Sequence, residues 1–177
     1  EDVTRLDRLI SDISDASRLD AELSRAETTD IDLMAMLDTL ADIHNSTGAS
    51  DHLVQVNGPP TGAIHVDGME SRLAQVFRNL IANAASFSPA NGVISISVIS
   101  ENGEVQIKVE DEGPGIPAGK EQAIFERFYS QRPESEKFGT HSGLGLSISK
   151  QIIEAHDGTI VATNRTNDEG SLAGARF

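Results

Sequence analysis

The spacing of hydrophobic residues switches between a helical period of three to four and a strand period of two. Both periods recur along the chain, so all-helical and all-strand folds are excluded. The sequence therefore predicts an α+β fold, a two-layer α/β sandwich with helices on one face of a mixed sheet. We expect helices at Asp30–Asn45, Met69–Phe87, Lys120–Phe128 and Leu144–His156, and strands at His52–Asn57, Ala63–Val66, Val93–Ser100, Val105–Glu110, Thr159–Asn164 and Ala173–Phe177.

A long helix is predicted before this sandwich. The first 25 residues contain neither Gly nor Pro, and their apolar residues are three or four positions apart. Such a helix would be roughly 37 Å long with one narrow apolar stripe. One stripe cannot form a core, which favours a strand of a bundle or coiled coil over an ordinary amphipathic helix packed on its own domain. The apolar positions are Val3, Leu6, Ile10, Ile13, Ala16, Leu19 and Leu23.

Charge and composition restrict the partners. The formal net charge is −14, so the surface repels a phosphate backbone and nucleic acid is not an expected partner. Backbone amides and a metal ion act locally, so a nucleotide can still bind. The absence of cysteine removes disulfides and thiolate sites. No apolar run approaches 18 residues, and we expect no membrane segment within this sequence.

Two glycine-rich segments are the first candidates for chemistry. Asp111–Pro117 follows a predicted strand, and Gly139–Leu146 opens a predicted helix. Glycine lets the backbone approach a ligand, and a helix N-terminus offers free N–H groups to phosphate. Neither segment matches the P-loop or the dinucleotide fingerprint. Each one, taken alone, can equally be an ordinary turn.

Three side-chain amides share one face of the preceding helix. Gln75, Asn79 and Asn83 are spaced by four. A carboxamide oxygen suits Mg²⁺, which also takes waters and phosphate oxygens; the alternative is a solvated polar face. Asp111 ends a strand, where its carboxylate can accept a hydrogen bond from a purine amino group or simply open a turn.

Four segments resemble, in the family's order, the N, G1, F and G2 boxes of sensor histidine kinases. The amino-acid sequence is most similar to the ChvG-type subgroup. The four segments are residues 75–89, 111–116, 124–129 and 142–146. The resemblance covers roughly residues 30 to 177. It implies that residues 1–27 are the second helix of a dimerisation and phosphoacceptor stem whose first helix is absent. Residues 28–177 would be the catalytic ATP-binding domain, with its last strand truncated.

The resemblance implies a Bergerat-type fold that binds ATP and Mg²⁺. Asn79 and Asn83 would be the catalytic residues, with Asn83 as the metal ligand. Phe87 would lie against the adenine and Asp111 would accept its amino group. Phe125 would help Phe128 to pack a mobile lid at Tyr129–Ser142. The residues implied in ATP binding are Asn79, Asn83, Phe87, Asp111, Gly113, Gly115, Ile116, Phe128, Thr140, His141, Ser142, Gly143, Leu144, Gly145 and Leu146.

Two positions depart from the family pattern. Ser86 and Ser130 stand where many members have a basic residue that contacts phosphate. Arg127 or Arg132 is a candidate to replace that contact.

The phosphoacceptor histidine of such kinases has no counterpart here. It is normally followed by an acidic residue and then a proline, and none of the five histidines has that context. We expect the acceptor upstream of Glu1. By the resemblance, the whole protein transfers the γ-phosphoryl group of ATP to that histidine for relay to an aspartate of a response regulator. It would dimerise through the stem, and this chain would be a cytoplasmic part of an inner-membrane sensor.

Three other functions remain open from the sequence. The chain can be a nucleotide-independent interaction or dimerisation module of a degenerate kinase. It can be a hydrolysing ATPase of the same superfamily, although those enzymes place a glutamate at the position of Asn79 to activate water. It can also be a serine-directed regulatory kinase of this fold, against which the long stem helix argues.

Overall fold

The structure, a computed structural model, describes residues 14, 18–19, 21–23, 27–47, 51–129 and 143–177. Three helices lie in the last three of these ranges: α1 (Leu33–Ser46), α2 (Glu70–Phe87) and α3 (Gly145–Ala155). The strands are β1 (Thr29–Asp32), β2 (Leu53–Asn57), β3 (His65–Gly68), β4 (Val93–Glu101), β5 (Glu104–Glu110), β6 (Thr163–Thr166) and β7 (Leu172–Arg176).

A five-stranded mixed sheet forms one layer, in the order β2-β4-β5-β7-β6. β2 runs parallel to β4, and the other neighbours are antiparallel. Alternate residues Ile94, Ile96 and Val98 of β4 are buried with apolar residues of all three helices. The predicted two-layer α/β sandwich is thus confirmed. The core is almost entirely aliphatic. Among its buried residues in the described part of the chain, Phe77 is the one aromatic side chain.

A second, smaller hydrophobic cluster supports the first glycine-rich segment. Its members come from the loop after β5, from a short turn, from the residue just before β6 and from β7. This cluster fixes that segment against the end of the sheet. It comprises Ile116, Ile124, Phe125, Ala162 and Ala175.

The hairpin between β4 and β5 forms as the Asn102-Gly103 pair predicts. Glu101 pairs with Glu104, and the two turn residues have φ of 54° and 81°. Two consecutive positive φ values suit the right-handed twist of a hairpin.

Several predicted boundaries are wrong. Asp30 lies in a strand rather than a helix: β1 pairs with β3, and α1 begins only at Leu33. Asp32 sets this start, because its carboxylate accepts the Ala35 N–H at 3.1 Å as an N-cap. The predicted strand Ala63–Val66 is shifted to His65–Gly68 by pairing with β1.

Two further elements are shorter than predicted. In Lys120–Phe128 only a 3₁₀ turn forms, Ala123–Phe125, because burial of Ile124 and Phe125 anchors it and so short a segment nucleates no α-helix. In Thr159–Asn164 the strand begins at Thr163, which pairs with Arg176 at the end of β7. Residues 159–162 form no strand, although Ala162 is buried in the second hydrophobic cluster.

The predicted N-terminal helix lies mostly outside the described residues. Positions 14, 18–19 and 21–23 are helical. Leu19 is 1% exposed and belongs to the main core, and Glu22 forms an ion pair with Arg72 at the start of α2. This part of the helix therefore packs against the sandwich. Among the described helices, none is both long enough and apolar enough to span a bilayer.

Candidate nucleotide-binding site

Asp111 is the buried acidic residue of the site. It follows β5 and is 2% exposed. Its Oδ1 accepts two backbone N–H groups, from Gly113 and from Ala175, each at 2.9 Å. No hydrogen bond from another described residue reaches Oδ2. One oxygen is thus held by the protein backbone, and the other is uncommitted.

Gly174 lets the last strand pass directly behind Asp111. Its φ is 142°, and a Cβ atom built there would lie 1.9 Å from the Asp111 carbonyl oxygen. No side chain fits in that space. Gly174 was not predicted as a site residue, although a glycine inside a predicted strand is a signal of close backbone approach.

Asn164 and Arg165 of β6 hold the first glycine-rich segment and were also missed. The Asn164 carboxamide accepts the Ile116 N–H at 2.6 Å and donates to the Ile116 carbonyl at 2.8 Å. Arg165 donates to the Asp111 carbonyl at 2.9 Å. Asn164 pairs with the buried Ala175 of β7, so an apolar residue would be expected at position 164. The polar amide at that position was the available signal.

The three amides of α2 lie in different environments. Asn79 donates to the Gly145 carbonyl at 3.2 Å and lies 3.4 Å from the Ser149 hydroxyl. Gln75 accepts a hydrogen bond from Arg72 at 2.9 Å. The half-buried Asn83 has no side-chain hydrogen bond to any described residue. Of the three, Asn83 is the one whose carboxamide has no hydrogen-bond partner among the described residues.

The C-terminal end of α2 reaches the first glycine-rich segment. A Cβ atom built on Gly113 would lie 2.8 Å from the Phe87 carbonyl oxygen, and the Phe87 side chain is half-buried. Asn79 and Phe87 are eight positions apart, which is about 12 Å along the helix. α2 therefore contacts both glycine-rich segments, one near its middle and one at its end.

The second glycine-rich segment opens α3. Gly143 has φ of 73° and accepts the Phe128 N–H at 3.0 Å. Leu144 is buried, while Gly145 and Leu146 begin the helix at half-buried positions. Among the described residues no side-chain hydrogen bond caps this N-terminus, and the N–H groups of a helix start are favourable donors to an anion. Thr140, His141 and Ser142 lie outside the described residues.

The residues implied in the lid divide between core and surface. Phe125 is buried and packs edge-to-face on Phe177, with ring centroids 6.3 Å apart. Phe128 is 55% exposed at a positive φ of 65°. Tyr129 is half-buried, and residues 130–142 lie outside the described part of the chain.

The departures from the family pattern are only partly visible. The Ser86 hydroxyl donates to the Asn83 carbonyl at 2.8 Å, which ties it to its own helix. Arg127 is exposed. Ser130 and Arg132 are not among the described residues.

A metal site made entirely of protein side chains is absent from the described ranges, where no three His, Cys, Asp or Glu residues converge. The uncommitted carboxamide of Asn83 is a hard oxygen donor. Mg²⁺ accepts one such protein ligand when phosphates and waters supply the others. The residues present fit a metal that arrives with a phosphate ligand.

Known proteins resemble this chain in sequence and in fold. Residues 68–177 match the family described as histidine kinase-, DNA gyrase B-, and HSP90-like ATPase. The sensor protein ChvG of Rhizobium meliloti (strain 1021) is 49% identical over 99% of this chain and 32% of its own length. ChvG of Agrobacterium fabrum is 47% identical over 99% of this chain and 31% of its own length. This chain thus spans about a third of these relatives.

A solved structure agrees with the fold. The catalytic domain of histidine kinase ThkA superposes with a TM-score of 0.70 at 27% identity, over 85% of this chain and 92% of that one. The family match covers more than half of the chain and includes every described site residue. The chain belongs to the histidine kinase-, DNA gyrase B- and HSP90-like ATPase family, as an ATP-binding catalytic domain of the sensor histidine kinase type.

Proposed function

We propose that ATP binds with its base at Asp111 and its phosphates at the start of α3, and that Mg²⁺ accompanies the phosphates at Asn83. In this proposal the whole protein transfers the γ-phosphoryl group to a histidine upstream of this chain. The phosphoryl group then passes to an aspartate of a response regulator.

The bonding of Asp111 is the observation that carries the proposal. Two backbone N–H groups hold Oδ1, which fixes the orientation of the carboxylate and leaves Oδ2 as an acceptor. The exocyclic amino group of adenine is a donor, whereas guanine has a carbonyl oxygen at the corresponding position. A fixed acceptor in a buried pocket rejects a ligand that lacks the donor, because a buried acceptor without a partner is costly.

The adenine end of the pocket uses the segment that follows Asp111. Gly113 approaches the backbone of Phe87, and the half-buried Phe87 ring supplies an apolar surface for the base. Gly115 and Ile116 complete the segment, and burial of Ile116 in the second hydrophobic cluster holds it. Phe128 is proposed to contact the same ATP molecule from the side of the lid.

The phosphate end uses α2 and α3 together. Asn83 offers its oxygen to Mg²⁺, which neutralises phosphate charge when bound. Asn79 fixes the first turn of α3 through Gly145. The N–H groups that follow Gly143 then face the phosphates, with contributions assigned to Thr140, His141, Ser142, Leu144 and Leu146.

The chain need not supply a strong base. A neutral imidazole has a lone pair ready for the γ-phosphorus, so positioning and charge neutralisation are the tasks of this domain. Hydrolysis is disfavoured because the carboxamide of Asn79 cannot activate water. By itself the chain is proposed to bind Mg-ATP without phosphorylating its own histidines.

The remaining assignments concern the whole protein. Residues 1–27 are proposed as the second helix of a dimerising stem, and residues 28–177 as the catalytic domain. Self-association through that stem and a cytoplasmic position in an inner-membrane sensor belong to the same proposal. The net charge of −14 argues against nucleic acid as a partner.

A pair of aspartate variants tests the proposal by calorimetric titration with ATP. In Asp111→Asn the amide oxygen still accepts the Gly113 and Ala175 N–H groups, but an NH₂ group replaces the uncommitted oxygen. We expect ATP affinity to fall about tenfold or more, because two donors then oppose each other. Asp32→Asn is the matched control, since asparagine also caps a helix and Asp32 is at the start of α1.

Each outcome separates the proposal from the interaction-module alternative. Parent chain that fails to bind millimolar ATP, with and without Mg²⁺, would favour a nucleotide-independent module. Equal ATP affinity for the parent and a folded Asp111→Asn variant would show that the base is recognised elsewhere.

A further inference from the structure

Asn164 pairs with the backbone of Ile116 in the manner of a neighbouring strand. Its Oδ1 accepts the Ile116 N–H at 2.6 Å and its Nδ2 donates to the Ile116 carbonyl at 2.8 Å. Both polar groups of one loop residue are thereby satisfied by a single side chain. Since Ile116 is buried, losing these partners would leave its N–H and C=O unpaired within a packed cluster.

The next residue along β6 holds the other end of the same segment. Arg165 donates to the Asp111 carbonyl at 2.9 Å, while β7 supplies the Ala175 N–H to Asp111 Oδ1. The segment from Asp111 to Ile116 is thus fixed at its first and last residues by the final two strands. These strands are more than 45 positions away in the sequence.

Space around the segment is set by the same carboxamide. A Cβ atom built on Gly115 would lie 2.6 Å from Asn164 Oδ1, so the loop backbone rests directly on this side chain. Movement of Asn164 would therefore move Gly115 as well as Ile116. Both residues belong to the adenine side of the proposed pocket.

We propose that Asn164 is a positioning residue for base recognition: it sets the path of residues 113–116 and thereby the place of the base against Asp111. This inference rests on the nucleotide site proposed above. Asn164 acts through Ile116 and Gly115 and does not itself contact the ligand. Its loss should weaken the selection of adenine over guanine, a property that a purely stabilising contact would leave unchanged.

The test compares the Kd values for ATP and GTP in the parent chain, in Asn164→Ala and in Asn164→Asp. Aspartate keeps an acceptor for the Ile116 N–H but loses the donor to the Ile116 carbonyl. Asn167→Ala is the matched control, because Asn167 also bonds two backbone N–H groups, those of Glu169 and Ser171, in the turn between β6 and β7. Thermal unfolding confirms that each variant is folded. If Asn164→Ala does not fold, Asn164→Ser replaces it, since a hydroxyl still accepts the N–H.

We expect ATP affinity to fall about tenfold in the Asn164 variants, with little change in GTP affinity. A tenfold change in Kd corresponds to about 1.4 kcal/mol of binding free energy. The ratio of the two Kd values then moves toward one, while Asn167→Ala keeps the parent ratio. Unchanged affinities, or an equal loss for both nucleotides, would overturn the inference. A parent chain that binds ATP but does not prefer it over GTP would instead refute base recognition by Asp111, and this inference with it.

Discussion

The side-chain amide of Asn79 lies 3.2 Å from the carbonyl oxygen of Gly145, so the middle of α2 is hydrogen-bonded to the first turn of α3. The fully buried hydroxyl of Ser149 donates to the same carbonyl at 2.8 Å. Asn83, one helical turn later, has no such bond among the described residues. Two asparagines that look equivalent in the sequence therefore have different tasks.

Alanine variants of these asparagines should separate the two tasks. Asn83→Ala should reduce ATP affinity in Mg²⁺ about tenfold and leave affinity in EDTA unchanged, because only the metal ligand is lost. Asn79→Ala should lower the free energy of unfolding by about 1–2 kcal/mol, since the bond between α2 and α3 is broken. Titration in Mg²⁺ and in EDTA, with urea unfolding, measures both. Identical behaviour of the two variants would contradict this division.

Gly174→Ala should be among the most destabilising single substitutions in the sheet. The added Cβ would overlap the Asp111 carbonyl oxygen, and φ is positive, so a loss of about 3 kcal/mol or more is expected. Gly170→Ala is the matched control: it also has positive φ but open space and should cost about 1 kcal/mol. Urea unfolding of both variants measures the difference. Similar losses would show that backbone strain, and not the close approach, requires glycine at position 174.

His44 near the end of α1 should make stability depend on pH. Burial, and secondarily the charge of His52, lowers the pKa of His44 from its ordinary value of 6.5. Below pH 6.5 the unfolded chain therefore binds more protons than the folded chain, and the free energy of unfolding falls as pH decreases from 6.5 toward the lowered value. Above pH 6.5 this contribution is fully present.

Two variants check the histidine prediction by urea unfolding between pH 7.5 and about pH 5. His44→Gln should flatten the pH dependence in that window. His52→Gln should flatten it only partly, because burial is the larger cause. A proton NMR titration that places the His44 pKa at or above 6.5 would refute the mechanism.

The long amphipathic elements were predictable because each carries its own period. α2 and the hairpin of β4 and β5 lie within a residue or two of their predicted bounds. β1 was not predictable, since four mostly polar residues become a strand only by pairing with β3, more than 30 positions away. The same limit applies to the strand predicted at Thr159–Asn164, because its observed residues pair with β7 and not with a sequence neighbour.

The sequence predicted the parts of the site whose residues are close together along the chain. It did not predict the parts that depend on contacts with strands far away in the sequence. Local order identified Asn83, Asp111 and the two glycine-rich segments. Asn164 and Arg165 bond to residues 48 and 54 positions away, and no local spacing encodes such a contact. The roles assigned to all of these residues remain predictions until the variants are measured.

The two glycines at the start of α3 offer the sharpest test of the phosphate end. Gly143 has positive φ, and a Cβ there would lie 3.0 Å from backbone atoms of Phe128 and Tyr129. Gly145 has room: its nearest neighbours are atoms of Asn79, beginning at 3.6 Å. Gly143→Ala should therefore lower stability by about 1–3 kcal/mol, whereas Gly145→Ala should leave the free energy of unfolding unchanged or slightly raised, because alanine is the better helix former.

ATP binding then tests whether the small size of Gly145, whose added Cβ would be in ordinary contact with Asn79, serves the approach of phosphates. If phosphates approach the first turn of α3, the added methyl of Gly145→Ala obstructs them, and ATP affinity should fall about tenfold in a fully stable protein. Adenosine, which lacks phosphates, should bind both proteins equally. A stable Gly145→Ala variant with the ATP affinity of the parent would place the phosphates away from this helix, because no folding defect is available to explain the result.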